Sequence, residues 1–265
     1  KIYKLYKNTI SVVITMNEQT ILKYFPNAIE GHKLTADAAD LLMKKYQLAP
    51  KNTLFGYSTC PDEINRNVTK FSLYYGGHQF PLGGLTGYPF RGKTGFAAFS
   101  HHAPDNGNIL ILYGPHVGIS ESGELGKVLR KNQSNESAAC GAAIAFLNKY
   151  NAAKKNGKTY EPNYDILDME QYAIEKMLMP HAEKIANSQA PVKELVDVNY
   201  QIIDESIMKI IENLKHHFKG KIALIGGIII NSQPNGYFDL RRFEVADGGD
   251  VFDLADELLA ISIKE

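Results

Sequence analysis

The stretch Ile222-Ala-Leu-Ile-Gly-Gly-Ile-Ile-Ile230 decides the fold class of this chain. The run is continuously apolar, which is typical of a central strand in a parallel sheet that helices cover on both faces. Residues 53–58 and 109–113 form two further apolar runs that we interpret as core strands. Helical patterns separate the three runs. The sequence therefore predicts an α/β fold, with a mostly parallel sheet of four to five strands and helices on both faces.

The surrounding elements follow from periodicity and from helix start signals. Helices are expected at residues 36–46, 62–75, 137–150, 166–187, 192–218 and 251–259, and a further strand at 237–245. The first residues, with the β-rich run 10–15, are expected to form an edge strand or arm. We interpret residues 1–265 as a single domain: an N-terminal arm and helix (1–50), the core that carries the site (51–150), and the long helices, central strand and C-terminal helix (151–265).

Composition argues against several classes of function. The 29 Lys and Arg residues balance the 29 Asp and Glu residues, so no basic excess favours nucleic acid or an anionic membrane. No stretch reaches the roughly 18 uninterrupted apolar residues of a membrane helix, so we expect no membrane insertion. Two cysteines in 265 residues make no disulfide framework. This favours a soluble protein of a reducing compartment.

Two cysteines and one histidine supply the donors of a predicted zinc site. Cys60 and His116 each follow an apolar strand, and Cys140 opens a helix of small residues. Strand carboxyl ends are where such sheets place their sites, so the three side chains can converge. Two thiolates and an imidazole select zinc and leave one position of a tetrahedral ion open, as in catalytic sites. The alternative is that both cysteines are inert buried thiols.

A carboxylate and a guanidinium follow the first cysteine. Asp62 and Arg66 lie two and six residues after Cys60 and, four apart at a helix start, they can pair. An aspartate oriented by an arginine beside a metal would hold the water bound to that metal. The alternative, a capping carboxylate in a surface ion pair, agrees equally well with the spacing.

Other histidines compete with His116 for the role of third ligand. His102 ranks second, and His101 and His78 are further candidates. Because His101 and His102 are expected to end a helix, they can instead cap its carbonyl groups.

Residues 87–94, Gly-Tyr-Pro-Phe-Arg-Gly-Lys-Thr, satisfy the P-loop pattern in full. Taken literally, the pattern places Lys93 on the phosphates of a nucleotide and Thr94 on magnesium. The context argues against this, since Pro and Gly interrupt the preceding segment and Pro89 removes one amide from the phosphate cradle. A Gly-rich turn that lines a small-molecule pocket is the better interpretation, and a nucleotide binder stays as a lesser alternative.

Several ordered motifs together resemble those of the limiting-carbon-dioxide-inducible B/C proteins, β-type-like carbonic anhydrases also called the theta class. The motifs are Cys60-Pro-Asp62 with Arg66, Gly92-Lys-Thr-Gly-Phe, His101-His-Ala-Pro-Asp, Tyr113-Gly-Pro-His116 and Ser137-Ala-Ala-Cys140-Gly. The resemblance extends from residue 50 to the end of the chain and implies a β-carbonic-anhydrase-like fold. Two features depart from the broader β-type pattern. The arginine lies four residues after the aspartate instead of two, and an inserted loop separates His116 from Cys140.

The resemblance implies a zinc lyase that hydrates carbon dioxide reversibly to bicarbonate by means of a zinc-bound hydroxide. Cys60, His116 and Cys140 would be the metal ligands. Asp62 would accept the hydrogen bond of the hydroxide, and Arg66 would hold Asp62 ionised and oriented.

The resemblance also implies a homodimer and a role in a carbon-concentrating mechanism. It implies a cytoplasmic location, or the plastid stroma if the chain comes from an alga. Because the family contains members with little activity, the competing hypothesis is a weak or inactive zinc protein that acts through partners in inorganic-carbon handling.

Overall fold

The computed structural model describes residues 15–263, so the arm predicted for the first residues lies almost wholly outside the described residues. The strands are β1 (Ala28–Glu30), β2 (Thr53–Thr59), β3 (Phe80–Pro81), β4 (Asn108–Gly114), β5 (His116–Gly118), β6 (Lys127–Val128), β7 (Ser137–Ala138), β8 (Ile222–Asn231), β9 (Tyr237–Asp247) and β10 (Asp250–Asp253). The α-helices are α1 (Met16–Tyr24), α2 (Gly31–Tyr46), α3 (Phe71–Tyr74), α4 (Gly92–His101), α5 (Gly141–Lys155), α6 (Met169–Leu178), α7 (Ala182–Asn187), α8 (Pro191–Leu214) and α9 (Ala255–Ile263).

One mixed sheet organises the fold. Its strand order is β1-β9-β8-β4-β2-β3, with β5 also paired to β8 and β10 also paired to β9. Strands β3, β2, β4, β8 and β5 pair in parallel, whereas β9 is antiparallel to β8, β1 and β10. The predicted α/β class is confirmed. The sheet has eight strands instead of four to five, because β1, β3, β5 and β10 are only two to four residues long and carry no readable periodicity.

Helices cover both faces of the central strands, as the continuous apolar runs predict. In β4, Leu110 and Leu112 face a core shared with α2 and α9, while Ile111 and Tyr113 face a second core shared with α4 and α8. All seven residues of β4 and all ten of β8 are buried. Burial on both faces is the reason why neither strand alternates between apolar and polar residues.

A third apolar cluster lies beside the sheet and contains both cysteines. Cys60 and Cys140 pack there with residues of α5, α6, α7 and α8, among them Phe146, Ile174 and Ile185. The helices predicted for residues 166–187 and 192–218 therefore cover the end of the sheet at which β2 terminates. No helix within residues 15–263 has the length and apolar character needed to cross a bilayer.

All six predicted helices have different boundaries in the structure. The helix expected at residues 137–150 begins only at Gly141, after β7, and the helix expected at residues 166–187 divides into α6 and α7. The helix expected at residues 62–75 is a 3-10 helix, Glu63–Asn67, followed by the short α3. The C-terminal helix begins at Ala255, because Gly248 and Gly249 adopt positive φ angles and turn the chain back along β9 as β10. A tight turn with positive φ at both central residues is the connection that a hairpin favours, so a strand precedes the helix.

Candidate metal centre

Three separate elements bring two sulfur atoms and one imidazole together. Cys60 directly follows β2, His116 is the first residue of β5, and Cys140 precedes the first turn of α5. Their candidate ligand atoms all lie within 4.8 Å of one another, and the two Sγ atoms are 4.0 Å apart. All three residues are buried, with exposed fractions of 7% for Cys60, 2% for His116 and 4% for Cys140.

A glycine turn at the end of β4 positions the histidine. Gly114 has a φ of 144°, and a Cβ at this position would lie 1.7 Å from the carbonyl oxygen of Gly227. Only glycine fits so close to the neighbouring strand. After this turn the chain resumes as β5, which pairs with the second half of β8 whereas β4 pairs with the first half. His116 thus enters the site opposite Ile229 of β8.

The two ring nitrogens of His116 have different surroundings. Nδ1 lies 2.8 Å from Oδ1 of Asn231, the last residue of β8. Nε2 is fully buried, and no described residue meets it in hydrogen-bond geometry, although the Cys60 thiol and the Asp62 carboxylate lie beside it. A buried polar atom without a partner is costly, and a ligand from outside the chain that bound this nitrogen would remove that cost.

The two thiols share a hydrogen bond that pushes their pKa values apart. The contact with Cys60 lowers the pKa of Cys140, and the backbone amides of Ala142 and Ala143 at the start of α5 lower it further. The same contact raises the pKa of Cys60, and burial adds to the rise. Cys140 is therefore the first of the two thiols to lose its proton. A divalent metal would favour deprotonation of both.

The donor set fits a soft or borderline divalent cation. Cys60, His116 and Cys140 could together hold a metal ion. Two thiolate sulfurs and an imidazole nitrogen suit zinc better than the hard cations magnesium or calcium. The unpartnered Nε2 of His116 is the observation that fits a metal most directly, because neutral imidazole binds a metal through such a lone pair.

Asp62 lies beside this donor set. Its Oδ2 is 3.8 Å from Nε2 of His116 and accepts a hydrogen bond of 2.6 Å from Nη2 of Arg130. Burial acts to raise the pKa of Asp62, but a hydrogen bond shared with Glu63 and the electrostatic effects of the neighbouring His116 and Arg130 outweigh it and lower the pKa. The carboxylate is therefore ionised at neutral pH and can only accept hydrogen bonds.

The guanidinium that meets Asp62 belongs to Arg130, in the loop between β6 and β7. Arg130 also pairs with Glu63 at 3.2 Å and donates to the carbonyl oxygen of Ala138. Arg66, the partner expected from spacing, is exposed and forms no ion pair with Asp62 among the described contacts. The reason is that residues 63–67 form a 3-10 helix, so the geometry of an α-helical i,i+4 pair does not apply.

No local sequence signal points to Arg130. It lies 68 residues from Asp62 in the chain, within the loop that separates His116 from Cys140. The insertion that departs from the β-type pattern is therefore the segment that supplies the partner of Asp62.

A cavity of about 420 Å³ opens beside Cys60 and Asp62. Its walls combine apolar side chains, including Phe55, Phe71 and Leu112, with the side chains of two arginines, Arg66 and Arg91. The cavity thus offers apolar surface and positive charge side by side next to Cys60, whereas His116 and Cys140 do not line it. The predicted site residues Cys60, Asp62 and Arg66 thus share one cavity, although Arg66 does not contact the carboxylate.

The competing histidines lie away from the candidate ligands. The ring of His102 packs against that of Phe80, with centroids 5.5 Å apart. The ring of His101 packs against that of His217, also at 5.5 Å. His78 is exposed. None of the three belongs to the cluster of candidate ligand atoms found within the described residues.

The segment that matches a P-loop lacks the setting that a P-loop needs. β3 ends at Pro81, and a 3-10 turn, Leu85–Gly87, leads into residues 87–94. The phosphate cradle of a P-loop follows directly from a buried strand and opens a helix. Here α4 does begin at Gly92, but the strand is missing, so the structure does not favour nucleotide binding.

Comparisons with known proteins agree on one group. The family model described as limiting CO2-inducible proteins B/C beta carbonic anhydrases matches residues 28–247. The crystal structure of PtLCIB4, a homolog of the limiting CO2-inducible protein LCIB, is 32% identical with a TM-score of 0.80 and covers 89% of this chain and 98% of that chain. The crystal structure of LCIB itself has a TM-score of 0.69 at 19% identity, covers 88% of this chain and 96% of that chain, and shows the likeness of fold. A comparison with curated proteins found no match.

Proposed function

The chain belongs to the limiting CO2-inducible B/C family of β-carbonic anhydrases, and we propose that it hydrates carbon dioxide reversibly to bicarbonate with a zinc ion held by Cys60, His116 and Cys140. One observation carries the proposal. Nε2 of His116 is buried without a partner in the described residues, in the side chain that lies with two free cysteines. Three protein ligands leave a fourth zinc position for water or substrate.

In the proposed hydration reaction, each residue of the site would have a separate role. Zinc, when bound, supplies Lewis acidity that makes water nucleophilic near neutral pH. Asp62 accepts a hydrogen bond from the oxygen that attacks carbon dioxide, and so disfavours ligands that cannot donate one. Arg130 keeps this carboxylate ionised and oriented, the role that the family resemblance implies for Arg66. The apolar wall around Phe55 and Leu112 favours entry of uncharged carbon dioxide.

Stopped-flow hydration of carbon dioxide by the purified protein, with zinc content measured on the same sample, tests the proposal. We expect fast hydration and about one zinc per chain, since one four-coordinate site is available. The variant Cys140→Ser should lose zinc and hydration together. The variant Asp62→Ala should keep zinc but hydrate carbon dioxide at least roughly 100-fold more slowly, because a positioned proton acceptor is lost.

The same experiment separates the alternatives. Zinc without hydration in the wild type would reject the enzyme and support the inactive, partner-dependent family member. Absence of zinc from protein prepared with the metal would reject the centre itself. The homodimer that the resemblance implies and the reducing compartment that the cysteine count favours stay predictions.

A further inference from the structure

A chain of buried amides links two of the proposed metal ligands. Nδ1 of His116 lies 2.8 Å from Oδ1 of Asn231. Nδ2 of Asn231 donates to Oδ1 of Asn65 at 3.1 Å, and Nδ2 of Asn65 donates to the carbonyl oxygen of Cys60 at 3.1 Å. The exposed fractions of Asn65 and Asn231 are only 5% and 4%. Buried amides of this kind keep the orientation that satisfies their hydrogen bonds.

The direction of every bond in this relay follows from its Cys60 end. A backbone carbonyl oxygen can only accept, so Asn65 must present its amide nitrogen to Cys60 and its Oδ1 to Asn231. That oxygen also only accepts, so Asn231 must present Nδ2 to it and Oδ1 to His116. An amide oxygen cannot donate, which leaves Nδ1 of His116 as the donor. The tautomer is thus assigned by the hydrogen-bond network.

We propose that Asn231 and Asn65 are positioning residues that hold His116 as its Nδ1–H tautomer before a metal arrives. A neutral imidazole with its hydrogen on Nδ1 carries the lone pair on Nε2, the buried nitrogen without a partner in the described residues. The relay therefore prepares the metal-binding atom of the ligand. This inference rests on the proposed metal centre, and it adds two residues that contact neither the metal nor the substrate.

The fold builds the relay from the same elements that build the site. Asn231 ends β8 and pairs in register with Gly118 of β5, two residues beyond His116 on the same face of its strand. Asn65 lies in the 3-10 helix that follows Cys60. A shift of either element would change the tautomer restraint and the ligand position together. Partners of this kind on the second nitrogen of a metal-bound histidine affect metal affinity by about 10- to 100-fold.

The first test reads the tautomer directly in metal-free protein. In the wild type labelled with 15N-histidine, at alkaline pH where the imidazole is neutral, long-range 1H–15N correlation should show His116 protonated at Nδ1. Asn231→Leu removes the acceptor at similar volume and should populate the Nε2–H tautomer. Asn231→Asp still accepts from Nδ1 and should keep the original tautomer. A wild-type His116 protonated at Nε2 would overturn the proposal.

The second test measures zinc affinity by competition with a chelator. Asn231→Leu should weaken zinc binding about 10- to 100-fold. Asn65→Leu should weaken it less, because Asn231 remains next to His116 but its side-chain amide is free to flip. Asn108→Leu is the matched control. Asn108, the first residue of β4, is also buried, but its side chain accepts from the backbone amide of Lys221 and does not belong to the relay. Equal affinities in Asn231→Leu and Asn108→Leu would reject the relay.

The two tests fail in different ways. If the wild type binds no zinc, the proposed function fails, and the tautomer measurement on metal-free protein still decides whether the relay exists. If zinc binds and the tautomer ignores Asn231, the metal centre stands and the relay is rejected.

Discussion

Two polar clusters, one half-buried and one buried, contact strand β4 and its continuation, and they differ in whether their hydrogen-bonding groups are satisfied within the protein. In the first, Asp204 of α8 accepts from the hydroxyl of Tyr113 at 2.6 Å and from Nε and Nη2 of Arg242 at 2.8 and 2.9 Å. In the second, three residues after Tyr113, His116 has a ring nitrogen without a partner in the described part of the chain. The first cluster is complete within the protein, whereas the second is not.

The difference separates a structural role from a functional one. A carboxylate that accepts two bonds from a guanidinium and two from the phenols of Tyr113 and Tyr200 has its acceptor sites occupied within the protein. Two free thiols and an unpartnered imidazole nitrogen have that capacity, and they lie at the end of the parallel strands, where α/β sheets place their sites. We therefore expect substitutions in the two clusters to have opposite consequences for metal content and for stability.

The largest expected effect is the loss of the metal when a proposed ligand is removed from the incomplete cluster. His116→Ala should abolish zinc binding and reduce hydration to the rate of buffer alone, because it removes one of three ligands. His102→Ala should leave both unchanged, since the ring of His102 packs against Phe80. Zinc content and stopped-flow hydration measured on both variants check the prediction. If the His102 variant lost zinc and the His116 variant retained it, His102 would be the third ligand and His116 would not.

The complete cluster should show a smaller effect, confined to stability. Asp204→Asn removes the charge that faces Arg242 and should lower the free energy of unfolding by about 2 kcal/mol, since hydrogen bonds to charged groups contribute about 1.5 to 3 kcal/mol. Zinc content should stay at the wild-type level. Asp40→Asn is the matched control, because Asp40 forms an exposed i,i+4 pair with Lys44 that should contribute at most about 0.5 kcal/mol.

The pH dependence of the same comparison has a definite sign. Burial acts to raise the pKa of Asp204, but hydrogen bonds from Arg242 and Tyr113 outweigh it and lower the pKa. A lowered carboxyl pKa contributes stability above the unfolded pKa of about 3.9, and that stability is lost as the pH falls through the folded value. In urea titrations, the gap between wild type and Asp204→Asn should therefore shrink below about pH 4. A gap that grows on acidification would contradict this assignment.

The parts of the site that could be predicted are those that local pattern encodes. The runs that form β2, β4 and β8 identify the core strands, and Cys60 and His116 follow two of them directly. Cys140 opens a helix whose small residues are also visible in the sequence. The proposed ligand triplet therefore follows from strand ends and one helix start, combined with the rule that parallel strands end at one edge of a sheet.

The supporting residues could not be predicted, because their contacts join distant parts of the chain. Arg130 meets Asp62 across 68 positions, Asn231 meets His116 across 115, and Asn231 meets Asn65 across 166. Each lies in a loop, at a strand end or in a short 3-10 helix with no periodic signal. They are brought together only by strand pairing and by the packing of the inserted loop, which carries Arg130, against Asp62. Neither follows from local spacing.

The smallest expected effect concerns the two arginines, one selected by spacing and one by contact. Arg130 is paired with Asp62 and 15% exposed, whereas Arg66 is exposed and lines the cavity without touching the carboxylate among the described contacts. Arg130→Gln should lower kcat for hydration about tenfold, because one charge-assisted hydrogen bond that orients Asp62 is lost. Arg66→Gln should change kcat less than about twofold, as expected for an exposed charge with no ion-pair partner among residues 15–263.

Both variants should retain zinc, because neither arginine belongs to the proposed ligand set, and zinc content is therefore the control for correct folding of the site. In an Asp62→Ala background, Arg130→Gln should have no further effect on kcat, since the two residues would act as one unit. Stopped-flow hydration of the two single variants and of the double variant makes the measurement. A large loss for Arg66→Gln with none for Arg130→Gln would restore the assignment based on spacing, and would mean that the loop carrying Arg130 leaves Asp62 during turnover.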